Sequence, residues 1–235
     1  MIPIPVGDNI RRQIFWISTL SLVLLNVCVF LFELSLGPQL NDLVFIFGII
    51  PARYTVPHIV ALTPASGLIL PLLASMFLHG GWLHLLSNML FLFVFGRSIE
   101  DRFGHLKFLL IYLLSGLGGA FLHIILNAGS RVPTIGASGA IAGILGAYFV
   151  SFPSARITTL LPLLFFFWTV RLPALLLLGY WFLMQFFSGY RMQAIESATQ
   201  GGVAWWAHVG GFAVGLFLAM ILRPRRRKPV VQVLM

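Results

Sequence analysis

The sequence predicts an all-α fold, a polytopic membrane helical bundle with six transmembrane helices. Three observations predict it. Of 235 residues, 59% are hydrophobic and only 9% are charged, against about 25% charged in an ordinary soluble domain. Mean hydropathy is +0.98. The apolar residues fall in runs near the length of about 20 that a helix needs to cross a bilayer. Such a chain is not intrinsically disordered. It also carries too little charge to cover the water-facing surface of a soluble enzyme. The length suits one membrane domain over residues 14–222, between a short segment, 1–13, and a basic tail, 223–235.

Residues 1–13 are polar and hold Arg11 and Arg12. Residues 14–34 form the first apolar run. It exceeds the core of about 7–15 residues in a signal peptide and has no small-residue cleavage site, so it reads as a retained signal-anchor helix. Residues 35–75 contain Pro38, Pro51, Pro57, Pro64 and Pro71. Proline at this density breaks long helices, and the segment reads as a long loop at the membrane interface. The second span covers about 82–95, followed by a charged turn over 96–106. The third covers 108–126 and is followed by a polar turn over 127–136. The fourth begins near Ser138 and ends near Phe152, where 153–156 break it. The fifth covers about 172–187, after an interfacial or re-entrant piece. Residues 188–202 read as a polar loop and 203–222 as the sixth span.

Charge placement orients this map. With the N-terminus inside, the inner segments hold Arg11, Arg12, Arg97, Arg102, Lys107, Arg156, Arg171 and five tail charges, twelve in all, against Arg53, Arg131 and Arg191 outside. Such a bias marks the cytoplasmic side, and an even number of spans returns both termini to it. The expectation is a multi-pass protein of a bacterial-type plasma membrane with cytoplasmic termini. The basic tail reads as a topology anchor rather than a nucleic-acid site. The single cysteine, Cys28, lies in an apolar run and can form no internal disulfide.

Polar groups inside spans are expensive and are functional candidates. His84, Asn88, Ser138 and His208 stand out, with His79 just ahead of His84. On the map above, all four lie in the outer third of the bilayer, at N-terminal ends of spans two, four and six. His84 and Asn88 are spaced i, i+4 and share a helix face, whereas helical spacing turns His79 elsewhere. A lone buried histidine most simply makes an interhelical hydrogen bond, and His105 and His123 read so. Ser138 lies in Gly136-Ala137-Ser138-Gly139. The glycines there suit close helix packing, and they also let a substrate backbone approach the hydroxyl. A helix N-terminus beside it offers free N–H groups to an oxyanion. Gly211 and Gly215 form a G-x-x-x-G face on span six. If that face meets span four, His208 comes within about 3 Å of the Ser138 hydroxyl, as a base must.

Four pieces resemble the rhomboid family of intramembrane serine proteases. They are His79-x4-His84-x3-Asn88, Gly-Ala-Ser-Gly at 136–139, Ala-His-x-Gly-Gly at 207–211 and Gly96-x3-Glu100-x3-Gly104. The resemblance runs in order from about Phe77 to Gly215. It implies a rhomboid-like six-helix bundle acting as a serine endopeptidase through a Ser–His dyad. Ser138 would be the nucleophile and His208 the general base. His84 and Asn88, with the Ser138 N–H, would form the oxyanion hole. His79 and Glu100 would be structural, as would Gly136 and Gly139 near the site. No metal or other cofactor is implied. The partners would be the lipid bilayer and transmembrane protein substrates, entering sideways past span five and the first loop and cut at small residues.

Two departures accompany the match. Some relatives carry an aromatic four residues after the serine, stacked on the histidine, and here that position is Ala142. Trp181, Trp205 and Trp206 are the candidates to hold the ring instead. Some relatives also carry a Trp-Arg pair in the first loop, where this chain has Arg53 before Tyr54. A soluble triad adds an acid to orient its histidine, but Glu100 lies twelve residues past Asn88, roughly 18 Å along the axis. Only Asp42, folding over from the first loop, would supply one. The rival readings are a non-catalytic rhomboid-like pseudoprotease that binds transmembrane helices, a metal transporter using His79, His84 and His208, and a zinc protease. The pseudoprotease should lack the serine or the histidine, the transporter has no intramembrane acid beside its histidines, and the zinc protease needs an H-E-x-x-H that is absent.

Overall fold

The computed structural model describes residues 4–163, 166–194 and 203–225. Strand β1, Ile4–Asp8, precedes helix α1, Ile17–Ser35. Four short helices follow: α2, Leu40–Phe47, α3, Ala52–Thr55, α4, Pro57–Leu62, and α5, Ala65–Ala74. Helix α6, Trp82–Phe91, runs through a π-helical turn, Leu92–Gly96, into α7, Arg97–Phe103. Then come α8, His105–Leu126, α9, Ser138–Ser151, strands β2, Arg156–Leu163, and β3, Phe166–Pro173, and helices α10, Ala174–Ala194, and α11, Trp205–Ile221. Helix α1, the continuous α6–α7 unit and α8 are each long and apolar enough to cross a membrane. With the shorter α9 and α11 and the 21-residue α10, they make a helical bundle.

Helix α9 is the axis of this bundle, and every residue from Gly139 to Tyr148 is buried. Its glycines and alanines are the reason. Without bulk on that surface, α11 approaches to backbone contact and α8 packs its Ser115 side chain against Gly143. A β-carbon on Gly211 would overlap the carbonyl oxygen of Gly139, and one on Gly215 would overlap that of Gly143. The span-six glycines therefore meet span four as their spacing predicts. Below this contact the core fills with Tyr112, Tyr148, Phe95 and Phe108, all fully buried.

Four sequence expectations need correction. Residues 35–75 are a chain of short helices rather than an unstructured loop. Proline stops a helix from within but suits its first turn, and Pro51, Pro57 and Pro64 each stand at a helix start. Residues 96–106 are not an open turn, since the helix continues to Phe103 and the reversal comes at Gly104, where φ is +81°. Glu100 and Asp101 are buried because they have partners. Glu100 accepts from the Ser18 and Thr19 N–H groups, both at 2.7 Å, and from the Thr19 hydroxyl at 2.6 Å, capping the N-terminus of α1. Asp101 accepts from the N–H groups of Gln13 and Ile14.

The third correction concerns the segment before span five. Residues 156–163 and 166–173 form antiparallel strands rather than an interfacial or re-entrant piece, and β1 pairs with the first of them, so the order is β1-β2-β3. Runs such as Ile157-Thr158-Thr159 and Trp168-Thr169-Val170 favour strands by β-branching and aromatic bulk. The N-terminal segment is therefore built in. Asp8 pairs with Arg12 at 2.6 Å and accepts from Ser98 and Tyr148. Arg225 joins the same end, its N–H donating to the Arg102 carbonyl. Residues 188–194 of the expected 188–202 loop instead continue α10, while residues 195–202 and the basic tail over 226–235 lie outside the described residues.

Candidate active site

Ser138 is the first residue of α9, at the end of the bundle opposite the sheet. Its geometry begins one turn earlier. Gly136 takes φ +128°, a region L side chains avoid, and its N–H donates to the Ser75 carbonyl at 2.8 Å. A β-carbon there would lie 2.7 Å from Nε2 of His84. The glycine therefore lets the chain turn into α9 with the His84 ring against it. Helix geometry leaves the first N–H groups of α9 without intrahelical acceptors, and Ser138 itself is partly exposed.

His208 reaches that hydroxyl from the buried face of α11. Its Nε2 lies 2.8 Å from Ser138 Oγ, the distance expected from the meeting of spans four and six. Its Nδ1 lies 2.7 Å from Oε1 of Gln185 on α10. An amide oxygen only accepts, so this contact fits the tautomer with the proton on Nδ1, which leaves Nε2 to accept from the serine. Sequence reasoning missed Gln185. The signal was a polar amide inside an apolar run, one helical turn after Trp181.

Of the aromatic candidates, Trp181 lies tilted over His208 with ring centroids 5.8 Å apart, and Trp205 meets it edge-on at 6.4 Å. Trp206 instead packs against Phe186. Helix α10 thus supplies the ring that position 142 does not.

His84 and Asn88 share one face of α6, as their spacing predicts. Asn88 is buried, and its Nδ2 is a donor with no partner among the described residues. His79 is also buried, but not turned away from His84. It precedes α6 in extended chain, so helical spacing does not apply, and the two rings meet edge-on at 5.1 Å. The His79 N–H donates to the Glu33 carboxylate of α1 at 3.1 Å, and its ring Nδ1 lies 3.3 Å from the Phe77 carbonyl. His105 makes the expected interhelical bond, to Glu100, whereas His123 bonds Thr134 in the loop before α9. Asp42 takes no part in this cluster, since the orienting group on His208 is Gln185. A cavity of about 30 Å³ adjoins Ser138, lined by Gly136, Gly139, Met76, Gly116, His123 and Thr134. That is room for about one water or a small side chain.

Comparison with known proteins agrees with this architecture. The family model described as Rhomboid domain matches residues 66–225. RHOMBOID-like protein 5 of Arabidopsis thaliana is 32% identical over 159 residues, covering 66% of this chain and 45% of that protein. RHOMBOID-like protein 6, mitochondrial, of the same plant is 34% identical over 155 residues, 64% of this chain and 43% of that protein. The human presenilin-associated rhomboid-like protein, mitochondrial, is 28% identical over 207 residues, 82% of this chain and 50% of that protein. The chain thus spans half or less of the length of these relatives. With its helical bundle, its membrane-spanning helices and the matched domain, the chain is a membrane protein of the rhomboid family.

Proposed function

We propose that this chain is an intramembrane serine endopeptidase that hydrolyses peptide bonds in or near transmembrane helices of other membrane proteins. The observation that carries this is the 2.8 Å contact between Ser138 Oγ and His208 Nε2 at the N-terminus of a buried helix. A serine hydroxyl is a poor nucleophile until a base takes its proton. Here Nε2 takes it as Oγ attacks the substrate carbonyl carbon. The electron pair of the C=O bond moves onto oxygen. The Ser138 N–H, Asn88 Nδ2 and the His84 ring are the donors assigned to that oxyanion. When the carbonyl re-forms, the C–N bond breaks and His208 passes its proton to the leaving amine. Water, deprotonated by the same nitrogen, then cleaves the acyl-serine ester and restores the hydroxyl.

The setting supports this chemistry. Helix α9 has 14 residues, roughly 21 Å, against a hydrocarbon core of about 30 Å. One of its ends must lie below the bilayer surface, where a transmembrane substrate can reach it. The charge bias supports cytoplasmic termini around the 14–222 membrane domain, with Ser138 toward the outer face. The relatives named above are plant and human proteins, two of them mitochondrial, and lend no support to the bacterial plasma membrane expected from the sequence.

The test is cleavage of a single-span substrate in liposomes by wild type, Ser138→Ala and His208→Ala. Cleavage by wild type alone is the expected result. Equal cleavage by all three would place the chemistry elsewhere. Binding of the helix without cleavage by any would favour the pseudoprotease.

A further inference from the structure

We infer that Gln185 is a positioning residue for His208, a neutral third group behind Ser138. This rests on the peptidase reading above. Neutral imidazole has two tautomers, and only the one with the proton on Nδ1 leaves Nε2 free to take the serine proton. Gln185 selects it, because Oε1, at 2.7 Å from Nδ1, has no proton to give. Both side chains are 7% exposed, so water competes little for either nitrogen. The ring plane is held from the same helix, since Trp181 lies one turn before Gln185 and 5.8 Å from the imidazole. Ala142 supplies no ring from the α9 side, so α10 provides both the hydrogen bond and the aromatic contact.

An amide suits the surroundings better than the carboxylate of a soluble triad. A buried carboxylate needs a partner charge to offset its desolvation. In the resting enzyme His208 is the base, hence uncharged, and offers none. The amide orients the ring without that cost. It also stabilises the imidazolium less when it forms, so its contribution should fall short of the roughly 10⁴-fold seen when a soluble triad loses its carboxylate.

Three variants and one spectroscopic readout test this in purified full-length protein. Gln185→Leu keeps the volume and removes the acceptor. We expect kcat to fall roughly 10–100-fold, the range for partners that orient metal-ligating histidines, with KM nearly unchanged. Gln185→Glu restores an acceptor and most of the rate. In ¹⁵N-histidine NMR, with His208→Ala assigning the signal, wild type shows His208 protonated at Nδ1, and Gln185→Leu shows mixed tautomers. If Gln185→Leu is folded, keeps the wild-type kcat and keeps the same tautomer, the positioning role is overturned and the Ser138–His208 pair stands. If wild type itself cleaves nothing, the peptidase reading falls and this inference with it.

Discussion

A β-carbon on Gly211 of α11 would overlap the carbonyl oxygen of Gly139 of α9. These glycines lie three residues after His208 and one after Ser138, so the backbone contact between them sets the reach of one side chain to the other. Gly211→Ala must push the helices apart. We expect about 1–3 kcal/mol of destabilisation, the usual cost of overpacking, and at least a tenfold loss of cleavage, because the 2.8 Å contact opens. Thermal unfolding and cleavage assays measure the two effects. Wild-type values for both would show that the contact is slack.

The two members of the pair should be nearly equivalent. Ser138→Ala and His208→Ala should each lower kcat by roughly 10⁴-fold or more, and the double variant little further, since residues acting as a unit are not additive. Single-turnover kinetics on a reconstituted substrate would resolve this. Additive losses would mean that the residues act in separate steps.

Asn88→Ala removes a buried donor that has no partner among the described residues. Loss of one oxyanion donor costs about 10²–10³ in kcat, with the lower end expected here because other donors remain. Stability should hold or rise slightly, as an unpaired polar group leaves the interior. A large drop in melting temperature at unchanged kcat would instead make Asn88 structural.

Glu100 should behave in the opposite way. It accepts three hydrogen bonds from the start of α1 and lies far from Ser138. Glu100→Gln should cost about 1.5–3 kcal/mol, the range for hydrogen bonds to a charged group. Activity per folded molecule should stay near wild type. A rate loss without a stability loss would contradict the capping role.

On the proposed function, the cavity of about 30 Å³ beside Ser138 receives the side chain at the cut. A substrate with alanine there should be cleaved at least tenfold faster than one with phenylalanine, measured as kcat/KM, since one methylene alone is worth about 1–3 kcal/mol in a pocket. Equal rates would show that the cut side chain lies elsewhere.

How legible the site was depended on spacing. His84 and Asn88 are one helical turn apart, and Ser138 and His208 each sit among glycines that force close packing. Those relationships are local, and helix geometry converts them directly into direction. His79 was misplaced for the same reason, because helical spacing was applied to a residue that precedes its helix. The strands at 156–163 and 166–173 were missed because their apolar runs are equally consistent with interfacial helix, and only pairing with Ile4–Asp8 completes the sheet. The proline-rich segment read as loop because prolines were weighed as breakers and not as first-turn residues.

By itself the sequence determined the class, most of the helices and the residues that meet at the candidate site, because hydrophobic runs, charge bias and glycine spacing act along the chain. Only the tertiary structure decided what stands behind His208. Gln185 is 23 positions away on another helix, and hydrogen bonding between separate helices depends on their rotation and depth. No local rule encodes those. The same holds for Glu100, whose role exists only because α1 starts where its carboxylate ends.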